Sequence, residues 1–286
     1  MSNNKPTLYT SLSPALLHLY DLNNAVVVII DVLRATSTIT TALYNGAKCV
    51  IPVDSVARCI ELGKRIDSIT AGERDGQIAE GLEYGNSPFE YPEAFIRSKT
   101  LVLTTTNGTK LLHMALERGA GQIVTGSFPN LSAVCDYIVE QQLPVVLGCA
   151  AWKDRVNIED TLFAGAVINR VKEHFSINCD SSQMAETMYE QAKKDLYGFM
   201  RDKQASHYNR LTSFGLEKDI RYCLTPDIAN VLPFMKMVNL LCIPNVNNDG
   251  PLFPEQCFDS GIKTGLLPYN SSGIRVLKVN VNLTLF

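Results

Sequence analysis

Val26 to Thr38, reading VVVIIDVLRATST, constrains the fold of this chain more than any other stretch. A short Val- and Ile-rich run broken by one acid is the pattern of a strand buried on both faces of a parallel sheet. Asp31 then falls at the carboxyl end of that strand. Thr36, Ser37 and Thr38 supply hydroxyls and amides at the start of a helical pattern carried by Ile39, Ala42 and Leu43. A carboxylate, the Arg34 guanidinium and a helix N-terminus thus converge on one spot. The mixture suits a phosphoryl group with a divalent metal, because the acid can hold the metal while the Arg and the amides hold oxygens. The same residues also suit a plain helix cap, and pattern alone does not separate the two.

The 286 residues allow one large domain or two modest ones, and 46% hydrophobic against 19% charged residues describes a globular chain. A net charge of −3 without a basic cluster argues against nucleic acid as a partner. No apolar run reaches the length of a membrane span, since Asp31 cuts the longest. MSNNKPTLYT at the N-terminus has no apolar signal core, so the expectation is a cytoplasmic enzyme acting on a small anion, with homo-oligomerisation left open. Cysteines at 49, 59, 135, 149, 179, 223, 242 and 257 form no Cys-x-x-Cys pair, and the four His residues show no ligand spacing. They read as reduced small hydrophobes, not as disulfide or zinc partners.

Along the chain, Ser13 and Pro14 open a short helix, Ala47 to Val53 reads as a second strand and Ser55 to Arg65 as a second helix. Ile69 to Pro92 is a Gly-punctuated acidic loop with Glu73 and Arg74 after a short strand; a loop of that length is usually functional. From Lys99 the first design recurs: Leu101 to Leu103, the loop Thr104-Thr105-Thr106-Asn107-Gly108-Thr109, a helix, Gly119-Ala120 and another strand. Gly46-Ala47 matches Gly119-Ala120, 73 residues on, and the same shift sets Thr36 on Thr109, Ala42 on Ala115 and Ile51 on Val124. Either the unit is duplicated or two strand-helix-strand units share their ordinary pattern. A third apolar run, Leu143 to Cys149, leads through Trp152 and Arg155 to Glu159, Asp160 and a helix. In open α/β sheets ligands bind beyond the carboxyl ends of strands, so the three loops are expected to face one crevice.

Residues 181 to 215 read as helical, Tyr222-Cys223-Leu224 as strand-like, and the Asn-, Pro- and Gly-rich end as an irregular extension. The expected fold is a layered α/β/α arrangement with a mainly parallel sheet and two related α/β halves, at 1–130 and 131–240, with the extension at 241–286. Several candidates have bland readings. Glu159 and Asp160 favourably meet a helix dipole, Thr105 to Thr109 make a capped helix start, Cys149 reads as a buried thiol before a nucleophile, and His207 as a helix end before a residue that reaches the site. Trp152 suits a pocket wall or a core gap equally.

Taken together, DVLRATSTI, AGER with GNSP further on, TTTNGT, and GCA followed by EDTLFAG resemble the 2-phosphosulfolactate phosphatase family, the ComB proteins of coenzyme M biosynthesis. The resemblance runs from about residue 7 to 233 and leaves out the C-terminal extension. It implies a Mg²⁺-dependent phosphomonoesterase with an α/β fold, taking (2R)-2-phospho-3-sulfolactate or a related acidic phosphoester to the alcohol and phosphate. Carried onto matching positions, it points to Asp31, Arg34, Glu73, Arg74, Asn107, Glu159 and Asp160. From chemistry, the metal would use Asp31, Glu73 and Asp160. Arg34 with the amides around Thr36, Ser37 and Thr105 to Thr109 would neutralise the phosphoryl oxygens. Arg74 or Arg155 would hold the substrate's carboxylate or sulfonate. The attacking group is either a water deprotonated by a carboxylate such as Glu159 or Asp31 itself. A haloacid-dehalogenase-type phosphatase using Asp31 would need a second acid two residues on, where this chain has Leu33. A binding protein that has lost turnover is the remaining alternative.

Overall fold

Strand β2 (Val26–Ile30) is buried throughout because its alternate side chains enter two different cores. Val26, Val28 and Ile30 pack on one side with Phe128, Phe163 and Val167, and Val27 and Ile29 on the other with Ile39, Leu103 and Leu112. The computed structural model describes residues 5–238 and 275–282. The further strands are β1 (Leu8–Ser11), β3 (Cys49–Val53), β4 (Ile69–Arg74), β5 (Gln77–Ile78), β6 (Thr100–Thr104), β7 (Gln122–Gly126), β8 (Val145–Cys149), β9 (Val231–Val238) and β10 (Arg275–Asn282). The helices are α1 (Ala35–Tyr44), α2 (Val56–Ile66), α3 (Glu93–Ile96), α4 (Gly108–Glu117), α5 (Leu131–Gln141), α6 (Ile158–Val171), α7 (Asp180–Ala192), α8 (Leu196–Asp202), α9 (Ser206–Ser213) and α10 (Glu217–Cys223).

These elements build a layered α/β fold with two mostly parallel sheets. One sheet has the order β1-β8-β2-β7-β9-β10 and the other β3-β6-β4-β5. Helices α5 and α6 cover the outer face of the first sheet, α2 covers the outer face of the second, and α1 and α4 fill the core between them. Strands from either side of residue 130 interleave in the first sheet, β8 lying between β1 and β2. Helices α6 and α7 meet backbone to backbone at Gly165, where a Cβ would stand 2.1 Å from the Ala185 carbonyl oxygen.

The repeat acquires a structural meaning here. Helix α4 starts and ends 73 residues after α1, and β7 lies 73 residues after β3. The first unit starts in the six-stranded sheet (β2) and ends in the other (β3); the second starts in the other (β6) and returns (β7). Pairing follows suit, with Val26 opposite Gln122 and Cys49 opposite Thr100. The helix ends match as well. Gly46 and Gly119 are left-handed at φ 91° and 71°, a conformation glycine takes without strain. The loops between strand and helix differ: Asp31-Val-Leu-Arg34 in the first unit, Thr105-Thr-Asn107 in the second.

Three expectations change. Within the supposed loop from Ile69 to Pro92, β4 and β5 form a hairpin whose turn, Asp75-Gly76, has φ of 53° and 87°, as a two-residue Asp-Gly hairpin requires. Tyr222 and Cys223 belong to α10, because Ile220, Cys223 and Leu224 are buried at helical spacing after acids in the first turn. Within the extension expected to be irregular, Arg275–Asn282 forms β10, parallel to β9. Cys242, Cys257 and the Asn245 to Pro251 stretch lie outside the described residues. Cys49, Cys59, Cys135, Cys149, Cys179 and Cys223 are unbridged. No described helix is long and apolar enough to cross a membrane.

Candidate active site

A pocket opens where β2, β4 and β6 end. Asp31, Arg34, Glu73, Asn86, Thr105 and Asn107 line it, with Arg210 from α9 closing one side. Helices α1 and α4 begin here together: a Cβ on Gly108 would lie 2.8 Å from Asp31 Oδ2 and 3.3 Å from Ala35 Cβ. The starts of the two helices related by the 73-residue shift therefore meet head to head. Both helix N-termini bring the positive end of a macrodipole to one place, the Ala35 and Thr36 amides of α1 being taken up by the Asp31 carboxylate and carbonyl. Two such termini beside Arg34 favour a multiply charged anion.

The carboxylates differ in how they are held. Asp31 is 8% exposed and accepts the Ala35 amide. Burial lifts its carboxyl to about 6, the charge of His207 and the Ala35 amide pulling down while Glu73 and Glu159 push up. Glu73 is fixed by three donors: the Thr106 amide and hydroxyl at 3.1 and 3.0 Å and the Gly76 amide at 2.8 Å. Arg34 donates to Asp219 at 2.6 Å and to the Gly76 carbonyl at 3.2 Å, leaving guanidinium donors over for a ligand. Asn107 accepts the Lys153 amide, which docks the loop after β8 onto the rim.

Other expected site residues stand elsewhere. The Thr36, Ser37 and Thr109 hydroxyls donate to the carbonyls of Gly126, Val32 and Thr105, so they secure the helix starts and are not free for a phosphate. Arg74 turns back onto the Glu73 carbonyl and the Thr104 hydroxyl. Arg155 is exposed beyond the Trp152 bridge. Asp160 lies close to Asp31 in space, but its two oxygens accept the amides of Val32 (2.9 Å) and Ala151 (3.2 Å). It clamps the ends of β2 and β8 together. Burial and the neighbouring Glu159 and Asp31 push its carboxyl up in spite of those amides. Cys149 is fully buried, and burial drives its thiol well up, as a structural thiol requires.

Glu159 is not in the pocket wall. It is 0% exposed and pairs through Oε1 with Nδ1 of His207, itself 2% exposed. Trp152 stands edge-on to the His207 ring, and Arg210 lies over Trp152. His207 does not end a helix: it lies in the first turn of α9 and is the buried partner of an acid 48 residues away. Arg210, Asp219 and Asn86 were missed altogether. Only Asn86 carried a signal, within the Gly-Asn-Ser-Pro string. Its backbone carbonyl accepts the Thr38 hydroxyl, which holds that loop against α1.

The 2-phosphosulpholactate phosphatase family model matches residues 11–237, from the end of β1 through nearly all of β9, and so includes every pocket residue named here. Among curated relatives, a probable 2-phosphosulfolactate phosphatase of Caldanaerobacter subterraneus subsp. tengcongensis is 40% identical over 220 residues, 76% of this chain and 90% of the relative. The Thermotoga petrophila protein of the same name is 41% identical over 72% of this chain and 87% of its own. One from Clostridium acetobutylicum is 39% identical over 74% and 90%.

The chain belongs to the 2-phosphosulfolactate phosphatase family. The family resemblance implies Mg²⁺, which takes oxygen ligands, uses one or two carboxylates and keeps several waters. Asp31 and Glu73 border the pocket, and the buried Asn86 Oδ1 and Thr105 Oγ1 there have no partner. That donor set fits such a cation. Among the described residues no three His, Cys, Asp or Glu side chains form a metal-holding group, so the three-acid set with Asp160 does not assemble. Gly108 is a sharp test of this family site. Gly108→Ala pushes a methyl against Asp31 Oδ2, and kcat/KM is expected to fall about 10- to 100-fold with a small change in Tm, since misplacing a reacting group by an ångström has that effect. Steady-state assays beside thermal melts check it.

Proposed function

We propose that this chain is a magnesium-dependent phosphomonoesterase for an acidic 2-phospho compound, (2R)-2-phospho-3-sulfolactate in particular, its relatives being named for 2-phosphosulfolactate. Water and the phosphoester give 3-sulfolactate and inorganic phosphate. The observation that carries this reading is the meeting of two helix N-termini and Arg34 over one buried carboxylate, Asp31.

The positive dipole ends of α1 and α4, with the amides at the start of α4, face charge that spreads over the equatorial oxygens in a loose transition state. Arg34, braced by Asp219 and the Gly76 carbonyl, adds directed donors to the same oxygens. Asp31, among the described residues without a side-chain hydrogen-bond partner and reached by the Ala35 amide, is the reacting carboxylate. Its oxygen attacks phosphorus, the ester oxygen leaves as the alcohol on taking a proton, and water then hydrolyses the aspartyl phosphate to free Asp31 and phosphate. Glu73, locked by Thr106 and Gly76, shares with Asp31 the holding of Mg²⁺. When bound, that ion supplies positive charge against the phosphoryl oxygens and acidifies water. Glu159 fixes the His207 ring, and His207 in its charged form favours the ionised state of Asp31. Leu33 is a buried core side chain, so the haloacid-dehalogenase pattern has no second acid to use.

The test is phosphate release from 2-phosphosulfolactate with Mg²⁺, after chelation, and after Mg²⁺ is restored. Chelation is expected to lower turnover by about 10²-fold or more, with recovery on adding the ion back. Calorimetric binding of the phosphoester with no phosphate released under any condition would leave the binding-protein alternative in possession.

A further inference from the structure

Three cations of this region already have occupations. Arg34 is paired with Asp219, Arg74 is turned back onto its own strand, and Lys153 sits exposed at the rim near Asp75. Arg210 differs. It lines the pocket from α9, yet among the described residues no carboxylate lies within ion-pair distance of it. Its Nε is buried with no hydrogen-bond partner. Its Cζ lies 5.0 Å from the centroid of the Trp152 ring, so the planar group is held in place before any ligand arrives. A half-buried, oriented guanidinium whose Nε is cut off from water and has no acceptor is a donor awaiting one, because a buried donor left unpaired is costly.

The phosphoryl group is accounted for by the helix starts and Arg34, but the substrate class carries at least one further anionic group, 2-phosphosulfolactate both a carboxylate and a sulfonate. We propose that Arg210 is the specificity-determining residue that receives one such anionic group, a carboxylate or sulfonate on the carbon skeleton bearing the phosphate. The assignment rests on the phosphomonoesterase reading above and replaces Arg74 and Arg155 in that role. A planar fork suits such an oxyanion bidentately, and its counter-charge is then supplied by the ligand itself.

The experiment compares kcat/KM for 2-phospholactate (carboxylate only), 2-phosphooxyethanesulfonate (sulfonate only) and isopropyl phosphate (neither). Wild type is expected to favour at least one acidic ester over isopropyl phosphate by about 10²-fold or more, as sites built for a polar group discriminate. Arg210→Gln should collapse that ratio towards one, chiefly through KM, while Arg210→Lys keeps part of it. Whichever acidic ester loses its advantage identifies the group that Arg210 takes. Thermal melts check folding; should the Gln variant fail to fold, the Lys variant's raised KM for the acidic ester carries the test. A ratio within about threefold of wild type in the folded Gln variant would overturn the proposal. Wild type releasing no phosphate from any of the three, or from 2-phosphosulfolactate, overturns the phosphatase reading and this assignment with it.

Discussion

Asp31→Asn is expected to lower kcat/KM by about 10³-fold or more while leaving the protein folded. Metal holding and nucleophilic attack both need a negative oxygen at this position, and an amide supplies neither. Stability should move the other way. Burial lifts the folded value of Asp31 to about 6, above the ordinary carboxylate value of 3.8. The folded chain therefore binds this proton more tightly than the unfolded chain. The stability that proton contributes is fully present below about pH 4 and is lost as pH rises through 6. At pH 7 with Mg²⁺ chelated, the ionised carboxylate costs up to about 3 kcal/mol, which the Asn variant recovers. Urea unfolding of both proteins in chelator at pH 4, 5.5 and 7 should show the variant's advantage growing with pH. Activity within tenfold of wild type would remove Asp31 from the reaction.

Breaking the Glu159–His207 pair should have the largest effect on folding. Both side chains are almost wholly buried, and among the described residues Glu159 Oε2 and His207 Nε2 have no hydrogen-bond partner. Glu159→Ala or His207→Ala strands the remaining group in the interior, which is expected to cost about 3–5 kcal/mol in urea unfolding. Glu159→Gln, which keeps an acceptor for the ring, should lose less. The double Ala variant should lose less than the two single losses added, the sign of a coupled pair. Single losses below about 1 kcal/mol would show that the two side chains do not depend on each other.

Legibility in the sequence followed the range of the interaction. The double-faced burial of β2, the Ser13 and Ser55 caps and the 73-residue repeat rest on residues near one another in the chain, and pattern expresses them directly. The hairpin at Asp75-Gly76 was also legible, since that dipeptide is a strong local hairpin signal, but the surrounding polar residues masked it. Asp31, Arg34, Glu73, Thr105 and Asn107 could be picked out because they sit where strands give way to loops, and all five line the pocket.

The tertiary structure alone decided what each group does. Thr36, Ser37 and Thr109 look like phosphate donors until their hydroxyls are found on backbone carbonyls. Asp160 has the composition of a metal ligand, yet two amides from separate strands occupy it. Asp219 and Arg210 lie in short helices with no local signature, and they matter only because α10 brings Asp219 to Arg34 and α9 brings Arg210 to the pocket. A sequence fixes periodicity and caps, since those energies act between neighbours along the chain. Charge pairing and pocket walls join residues up to 185 positions apart, as Arg34 and Asp219 are, and such pairs exist only once the layers have packed.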